Sequence, residues 1–275
     1  MTVPQVALNS GTSIPQLGFG VFKVDQADAQ RVVEDALEVG YRHIDTAAAY
    51  NNEQQVGAAI AASGIPREQL FITTKLANPD HKSGEVVAAF DSSLSKLGLD
   101  YVDLYLIHWP LPDSHRYVET WRQFERFYDE HSAHAIGVSN FLVPYLETLI
   151  ESTDIVPSVN QVELHPIFQQ RELHEYAAEH GIAVEAWGPL GQGKYDLFGT
   201  PAVQALAQAH GKSPAQVVIR WHIQAGNIVI PKSSSRERMA ENFDVFDFEL
   251  STEEFATMTA LDENRRVGGN PAEVN

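Results

Sequence analysis

The chain has 275 residues, 44% hydrophobic and 20% charged, which is ordinary globular material and long enough to bury a sizeable core. Its 37 acidic and 19 basic side chains leave a formal charge of -18, which repels polyphosphate and argues against a nucleic-acid partner. There is no cysteine, so disulfides, thiolate zinc sites and cysteine nucleophiles are excluded, and the zinc alcohol dehydrogenases with them.

The opening stretch, MTVPQVALNSGTSIPQLGFG, has neither a basic start followed by a long apolar core nor a small-residue cleavage site. No later stretch approaches about 18 uninterrupted apolar residues, so a cytoplasmic protein without a membrane partner is expected. Short apolar runs then alternate with longer segments of helical period, the pattern of a parallel sheet wrapped by helices. Eight strands are predicted, at 16–22, 41–45, 71–75, 102–108, 135–139, 159–163, 183–187 and 228–230. After the first, Ala29, Val32, Val33, Ala36 and Leu37 make the stripe of an amphipathic helix, and after the third Val86, Val87, Phe90, Leu94 and Leu97 do the same. The segment 200–210 adds a helix beyond simple alternation, ahead of one that opens on the Ser213-Pro214 cap signal. A last helix is predicted over 251–261 from its Ser251, Thr252, Glu253, Glu254 start. Residues 264–275, rich in Gly, Asn and Pro, read as a mobile tail. The expected fold is a single (β/α)8 TIM barrel over 1–275, with additional helices before the seventh barrel helix and at the C-terminus.

Several motifs fail on inspection. Gly18-Phe19-Gly20 lacks the third glycine of a dinucleotide fingerprint, and no G-x-G-x-x-G occurs. Gly188 to Lys194 spells seven positions of a phosphate-binding loop, yet Tyr195 stands where a hydroxyl should ligand magnesium. None of the nine tyrosines has a lysine four positions on, which removes the pair expected of a short-chain dehydrogenase. Eleven histidines include no His-x-His and no His-Glu-x-x-His, so no metal is expected and most should be surface or packing residues.

Three early strands end in polar residues: Asp45, Lys75 and His108. In a barrel these ends converge on one rim, and Tyr50 follows in the loop that covers it. A lysine, a carboxylate, a tyrosine and a histidine in one pocket can donate a proton to a developing alkoxide. Residue by residue, Asp45 and Lys75 equally suit a structural ion pair, and His108-Trp109-Pro110 a packed corner. Lys75 also suits a Schiff-base amine of a barrel lyase or isomerase.

The stretches GYRHIDTAAAYNNE (40–53), LFITTKL (70–76), DLYLIHWP (103–110), AIGVSNF (135–141), NQVELHP (160–166) and PKSSSRERMAEN (231–242) together resemble the aldo-keto reductases. The segment AWGPLGQGKYDLFG (186–199) is similar to the bacterial 2,5-diketo-D-gluconate reductases. The resemblance implies reduction of an aldehyde, ketone or dicarbonyl such as a keto-sugar or methylglyoxal, with NADPH as cofactor and a tetrad of Asp45, Tyr50, Lys75 and His108. Tyr50 is then the proton donor: a free tyrosine titrates near pH ~10, an adjacent Lys75 ammonium lowers that value, and Asp45 holds the lysine charged.

It further implies Ser139, Asn140 and Gln161 on the nicotinamide carboxamide and Trp187 stacked on its ring. Gly188, Leu190, Gln192 and Lys194 fall in a loop over the pyrophosphate. Lys232, Ser233, Ser234 and Arg238 match the grip on the 2'-phosphate, and Glu241 and Asn242 the adenine. Phe22, Tyr50, His108 and Trp109, with the tail at 267–271, would line the substrate space. Ala77, Asn51 and Gly188 depart from the family's usual tryptophan, glycine and serine, which touches substrate preference rather than chemistry. A monomer is expected, and a purely nucleotide-sensing role is opposed by the intact tetrad.

Overall fold

The computed structural model describes residues 3–82 and 84–274. It opens on an antiparallel hairpin absent from the expected elements, β1 (Gln5–Ala7) and β2 (Ser13–Pro15), with Val6 opposite Ile14. Ile14 and Leu8 pack on Phe71, Leu104, Ala135, Val159 and Ile228, which all lie at the amino ends of barrel strands. The hairpin therefore plugs the bottom of the barrel. With three residues per strand, its signal in the sequence is too short for alternation to register.

Eight parallel strands follow: β3 (Phe19–Gly20), β4 (His43–Asp45), β5 (Phe71–Leu76), β6 (Leu104–Ile107), β7 (Ile136–Ser139), β8 (Val159–Glu163), β9 (Ala183–Trp187) and β10 (Ile228–Val229). Each pairs with its neighbours in chain order. Leu17 bridges Val229 in parallel, and the Gly20 N–H donates to the Pro231 carbonyl, so the ends meet and the sheet closes. The first strand is shorter than the expected 16–22 because Gln16 and Gly18 spend their backbone groups on this seam, against Val229. In the fourth, Val102 forms only a bridge to Ala133 and His108 lies past the last pair.

The helices are α1 (Gln26–Val39), α2 (Glu53–Ser63), α3 (Glu85–Leu97), α4 (Tyr117–Asp129), α5 (Val143–Ser152), α6 (Arg171–Glu179), α7 (Pro201–His210), α8 (Pro214–Gln224), α9 (Arg236–Phe243) and α10 (Thr252–Thr259). The two extra helices are α7 and α10, joined by a His210–Glu254 contact of 3.0 Å. Helix α1 buries Ala29, Val32, Val33, Ala36 and Leu37, as its spacing predicts. On α3, Val86, Phe90 and Leu97 are buried but Val87 is 38% exposed: each residue advances about 100° around a helix, which carries Val87 off the inner stripe. Ser213 with Gln216, and Ser251 with Glu254, form reciprocal caps at α8 and α10. No helix among the described residues is long and apolar enough to cross a membrane.

Helix α2 passes close to the end of α3 at Gly57, where an added Cβ would stand 2.3 Å from the Leu97 carbonyl oxygen. Helix propensity alone makes Gly57→Ala stabilising by roughly 0.5–1 kcal/mol. The contact reverses that sign, because the atoms met are the Leu97 backbone, which cannot swing aside as the end of a flexible side chain would. Gly57→Ala is expected to lower the unfolding free energy by about 1–3 kcal/mol in urea denaturation.

Candidate active site

Because all eight strands are parallel, their carboxyl ends share one rim, and a cavity of about 440 Å³ opens there. At its floor, Lys75 is fully buried and donates to both Asp45 carboxylate oxygens at 2.7 Å, to the Thr46 carbonyl at 2.9 Å and to the Tyr50 hydroxyl oxygen at 3.4 Å. Burial pulls the Lys75 pKa down, but Asp45, Tyr50 and Glu185 outweigh it and the net shift is upward. Lys75 is therefore a locked cation, which opposes the Schiff-base reading: an imine needs a neutral amine with room to move.

Tyr50 follows β4 in a one-turn 3-10 helix, Ala48–Tyr50, that ends on Asn51 with φ 57. Asn51 takes the left-handed conformation that a glycine would take there, one that asparagine tolerates. Contrary to the sequence expectation, the Tyr50 pKa lies above the ordinary tyrosine value: burial raises it by more than the neighbouring Lys75 lowers it. The phenol is thus a neutral acid throughout the neutral range. Its oxygen accepts from Lys75, which leaves its own hydrogen to point elsewhere.

His108, just past β6, sets its ring 5.6 Å from the Tyr50 ring, nearly edge-on at 74°. Burial first, then the Lys75 and His81 charges, push its pKa down to about 3, so the imidazole is neutral and offers one N–H. Phe22, 43% exposed, stands 5.1 Å from the Tyr50 ring, and Trp109 completes this wall. Ala77 does not reach the cavity lining.

The opposite wall is formed by Ser139, Asn140, Gln161, Trp187, Gly188, Leu190 and Gln192. Asn140, at φ 64, ties three strand ends together: its amide nitrogen donates to the His108 carbonyl at 2.9 Å and to Ser139 Oγ at 3.1 Å, and its oxygen accepts from Trp187 Nε1 at 2.8 Å. Trp187 is therefore held at its edge and keeps one face for the cavity. The loop after β9 turns at Gly188 and Gly191, where the Gly191 N–H donates to the Gly188 carbonyl. A Cβ at Gly191 would meet the Tyr195 ring at 2.4 Å. Lys194 lies beyond, exposed and outside the cavity lining.

Lys232 reaches the rim of the cavity, whereas Ser233, Ser234, Arg238, Glu241 and Asn242 lie outside its lining, along the start and body of α9. The structure separates the three basic residues of this segment. Arg236 pairs with Asp35 and Glu38 of α1, while no carboxylate among the described residues pairs with Lys232 or Arg238, both exposed. Glu237, in the first turn of α9, accepts from Ser235 Oγ at 2.6 Å, and the nearby Arg238 and Arg236 charges help to hold its pKa down. Ser235 caps the start of α9 by accepting from the Arg238 N–H. No group of three or more His, Asp or Glu able to hold a metal occurs among the described residues.

The segment expected as a mobile tail is instead tied to the barrel by its backbone. Glu163, fully buried at the end of β8, accepts from the Val267 N–H at 2.6 Å and the Gly268 N–H at 2.9 Å. The Glu263 and Arg265 N–H groups both donate to the Ile167 carbonyl. Gly268 lies so near Trp187 that a Cβ would stand 2.5 Å from the ring. Composition suggested freedom, but backbone donors found a buried acceptor that no local pattern reveals; Asn275 lies outside the described residues. Glu163 also binds His165 at 3.0 Å, and His165 meets the Tyr195 hydroxyl at 3.3 Å, so the tail and the loop after β9 share one anchor. Burial raises the Glu163 pKa, but His165 and the Val267 N–H outweigh it and keep the group ionised. Sequence reasoning overlooked Glu163, although it sits inside NQVELHP, and overlooked Lys23, which lines the cavity directly after Phe22.

The profile of the Aldo/keto reductase family matches residues 16–263. A Yersinia pestis protein named methylglyoxal reductase DkgA is 49% identical over 268 residues, covering 98% of this chain and 96% of that protein. A crystal structure of an aldo/keto reductase from Brucella melitensis superposes with a TM-score of 0.92 at 51% identity, covering 95% of this chain and all of that one. That of a Gox0644 mutant in complex with NADPH superposes at 0.95 with 38% identity over the whole of both chains.

Removing one partner of the buried pair should be costly. Lys75→Met leaves Asp45 with an uncompensated buried charge and is expected to lower stability by about 3–5 kcal/mol. Adding Asp45→Asn should recover about half of that or more, read as a coupling in a double-mutant cycle by urea denaturation.

Proposed function

The chain belongs to the aldo/keto reductase family, and on that premise we propose that it is an NADPH-dependent oxidoreductase that reduces the carbonyl of a small aldehyde, ketone or dicarbonyl to the alcohol, with Tyr50 as proton donor. The observation that carries this reading is the Tyr50 hydroxyl, which receives a hydrogen bond from the locked Lys75 ammonium and lines the cavity floor beside a neutral His108. Methylglyoxal and keto-sugars such as 2,5-diketo-D-gluconate suit the pocket, and the Yersinia pestis relative carries the name of a methylglyoxal reductase. The reading takes 1–275 as one domain acting as a cytoplasmic monomer; the charge of -18 speaks against a nucleic-acid partner.

The residues present fit the cofactor. Lys232 and Arg238, free of carboxylates, would hold a 2'-phosphate, with Ser233 and Ser234 beside them and Glu241 and Asn242 toward the adenine. Gly188, Leu190, Gln192 and Lys194 would cover the pyrophosphate, and the Trp187 face, with Ser139, Asn140 and Gln161, would hold the nicotinamide. When bound, NADPH supplies hydride to the carbonyl carbon. The chain's own part is the proton. His108 donates its single N–H to the carbonyl oxygen and positions it beside Tyr50. As charge develops on that oxygen, the Tyr50 O–H breaks and its proton completes the alcohol. The phenolate left behind is stabilised by Lys75, whose charge Asp45 holds in place, and it is later reprotonated from solvent.

Tyr50→Phe is expected to keep the fold and NADPH binding while lowering kcat about 10²- to 10⁴-fold with methylglyoxal, followed by NADPH consumption. Unchanged turnover with chemistry rate-limiting removes Tyr50 from the mechanism.

Lys232→Gly/Arg238→His should weaken NADPH and leave NADH unaffected. Charge-assisted hydrogen bonds contribute about 1.5–3 kcal/mol each, so a preference of about two orders of magnitude or more should shrink toward parity. The Kd of both cofactors, measured by fluorescence titration, decides it; equal weakening of both shows that these residues hold the fold or the shared adenosine.

A further inference from the structure

The reduction described above gives no task to Glu185, a buried titratable group beneath the site. Glu185 lies in the middle of β9, fully buried, pointing into the barrel interior below the cavity floor. The Gln161 amide nitrogen donates to Glu185 Oε2 at 2.9 Å and to Asp45 Oδ2 at 2.8 Å. One nitrogen carries two hydrogens, so both are engaged. The Gln161 side chain can then present only its oxygen to the cavity it lines. Glu185, Gln161, Asp45, Lys75 and Tyr50 thus form one continuous chain of hydrogen bonds ending at the proton donor.

We propose that Glu185 is a positioning residue for the reduction: it fixes which end of the Gln161 amide faces the cavity, and its protonation state sets how readily Tyr50 gives up its proton. The proposal rests on Tyr50 being the donor. The charges around Glu185 define the effect. From β4 it is faced by Asp45 and by His43, whose Nε2 lies 3.6 Å from Glu185 Oε1; from β5 by Lys75; from β8 by the neutral Gln161 amide; from the turn after β4 by Tyr50. On the β10 side its register partner is the apolar Ile228. His43 is itself neutral, its pKa pushed by burial down to about 3.

With Glu185 protonated, the interior holds a balanced pair, Asp45 and Lys75. With Glu185 ionised it holds two carboxylates against one ammonium. Burial first, then Asp45, push the Glu185 pKa up to about 8. The acid hydrogen belongs on Oε1, which has no hydrogen-bond partner within reach, since Oε2 accepts from Gln161. When Glu185 ionises, its charge raises the pKa of both Tyr50 and Lys75. Tyr50 then becomes the weaker acid, and reduction slows above the Glu185 transition.

Glu185→Gln tests this cleanly, because a glutamine still accepts from Gln161 and cannot ionise. The wild type should show an alkaline fall in kcat/KM for methylglyoxal with an inflection near 8. In Glu185→Gln that inflection should move up by about one pH unit or more, while the Kd for NADPH changes by less than about three-fold. A second readout needs no turnover. Infrared difference spectra of the wild type between about pH 6.5 and about pH 9.5 should show loss of a carboxylic-acid C=O band, and that band should be missing from Glu185→Gln. A pH profile of Glu185→Gln superimposable on the wild type, or a wild type without the band, overturns the proposal. Full activity in Tyr50→Phe would instead overturn the donor assignment and leave the infrared result standing on its own.

Discussion

The ion pair of Lys75 and Asp45 is the constraint on which the rest of the site depends. An ammonium at zero exposure survives only if its lost hydration is replaced, and here two carboxylate oxygens and a main-chain carbonyl replace it. Those contacts use the lysine's strongest partners and leave the Tyr50 oxygen as the weakest and longest, at 3.4 Å. That is the useful arrangement for a proton donor: the cation is near enough to favour the phenolate when it forms, while burial keeps the phenol protonated beforehand. The Tyr50 pKa therefore reflects the balance of burial against charge, not a tyrosine already poised to ionise.

The molecule divides its labour between a rigid floor and a fitted rim. The floor and the base of one wall are built from strand ends whose positions the ladder of the sheet fixes, Asp45 and Lys75 below, Ser139 and Gln161 beside them. The rim is built from loops, and two side chains convert those loops into walls. Asn140 ties the segment after β6 to the edge of Trp187, and Glu163 ties the carboxyl-terminal segment and, through His165 and Tyr195, the loop after β9. Such ties reduce the freedom that would otherwise be lost when a ligand orders the loops, which is how preorganisation improves binding.

Charge is partitioned as sharply. Most basic side chains are neutralised by the acidic surface, as Arg236 is by Asp35 and Glu38, and Lys212 by Asp244 and Asp247. Lys232 and Arg238 escape that pairing, so the field they project is concentrated where the cavity meets α9.

The amino-acid sequence by itself determined the barrel: strand and helix periods repeat over ten or so residues, a range in which apolar spacing records which face is buried. It also determined the residue types at the floor, because Asp45, Lys75 and His108 close apolar runs and stand out against them. What only tertiary structure decided is what depends on partners far away in the chain. The hairpin at 5–15 is too short to show a period, and Ile14 finds its role only against the amino ends of five barrel strands. The tail shows no local sign of its anchor, because Glu163 lies 104 residues before Val267. The direction of the Tyr50 shift depends on how deeply the folded barrel buries the ring. Glu185, one more alternating residue in a strand, loses its water and meets Gln161 and His43 only because the closed sheet turns it inward. Local spacing encodes which side is buried; burial depth and long-range partners, which set electrostatics, exist only once the sheet has closed.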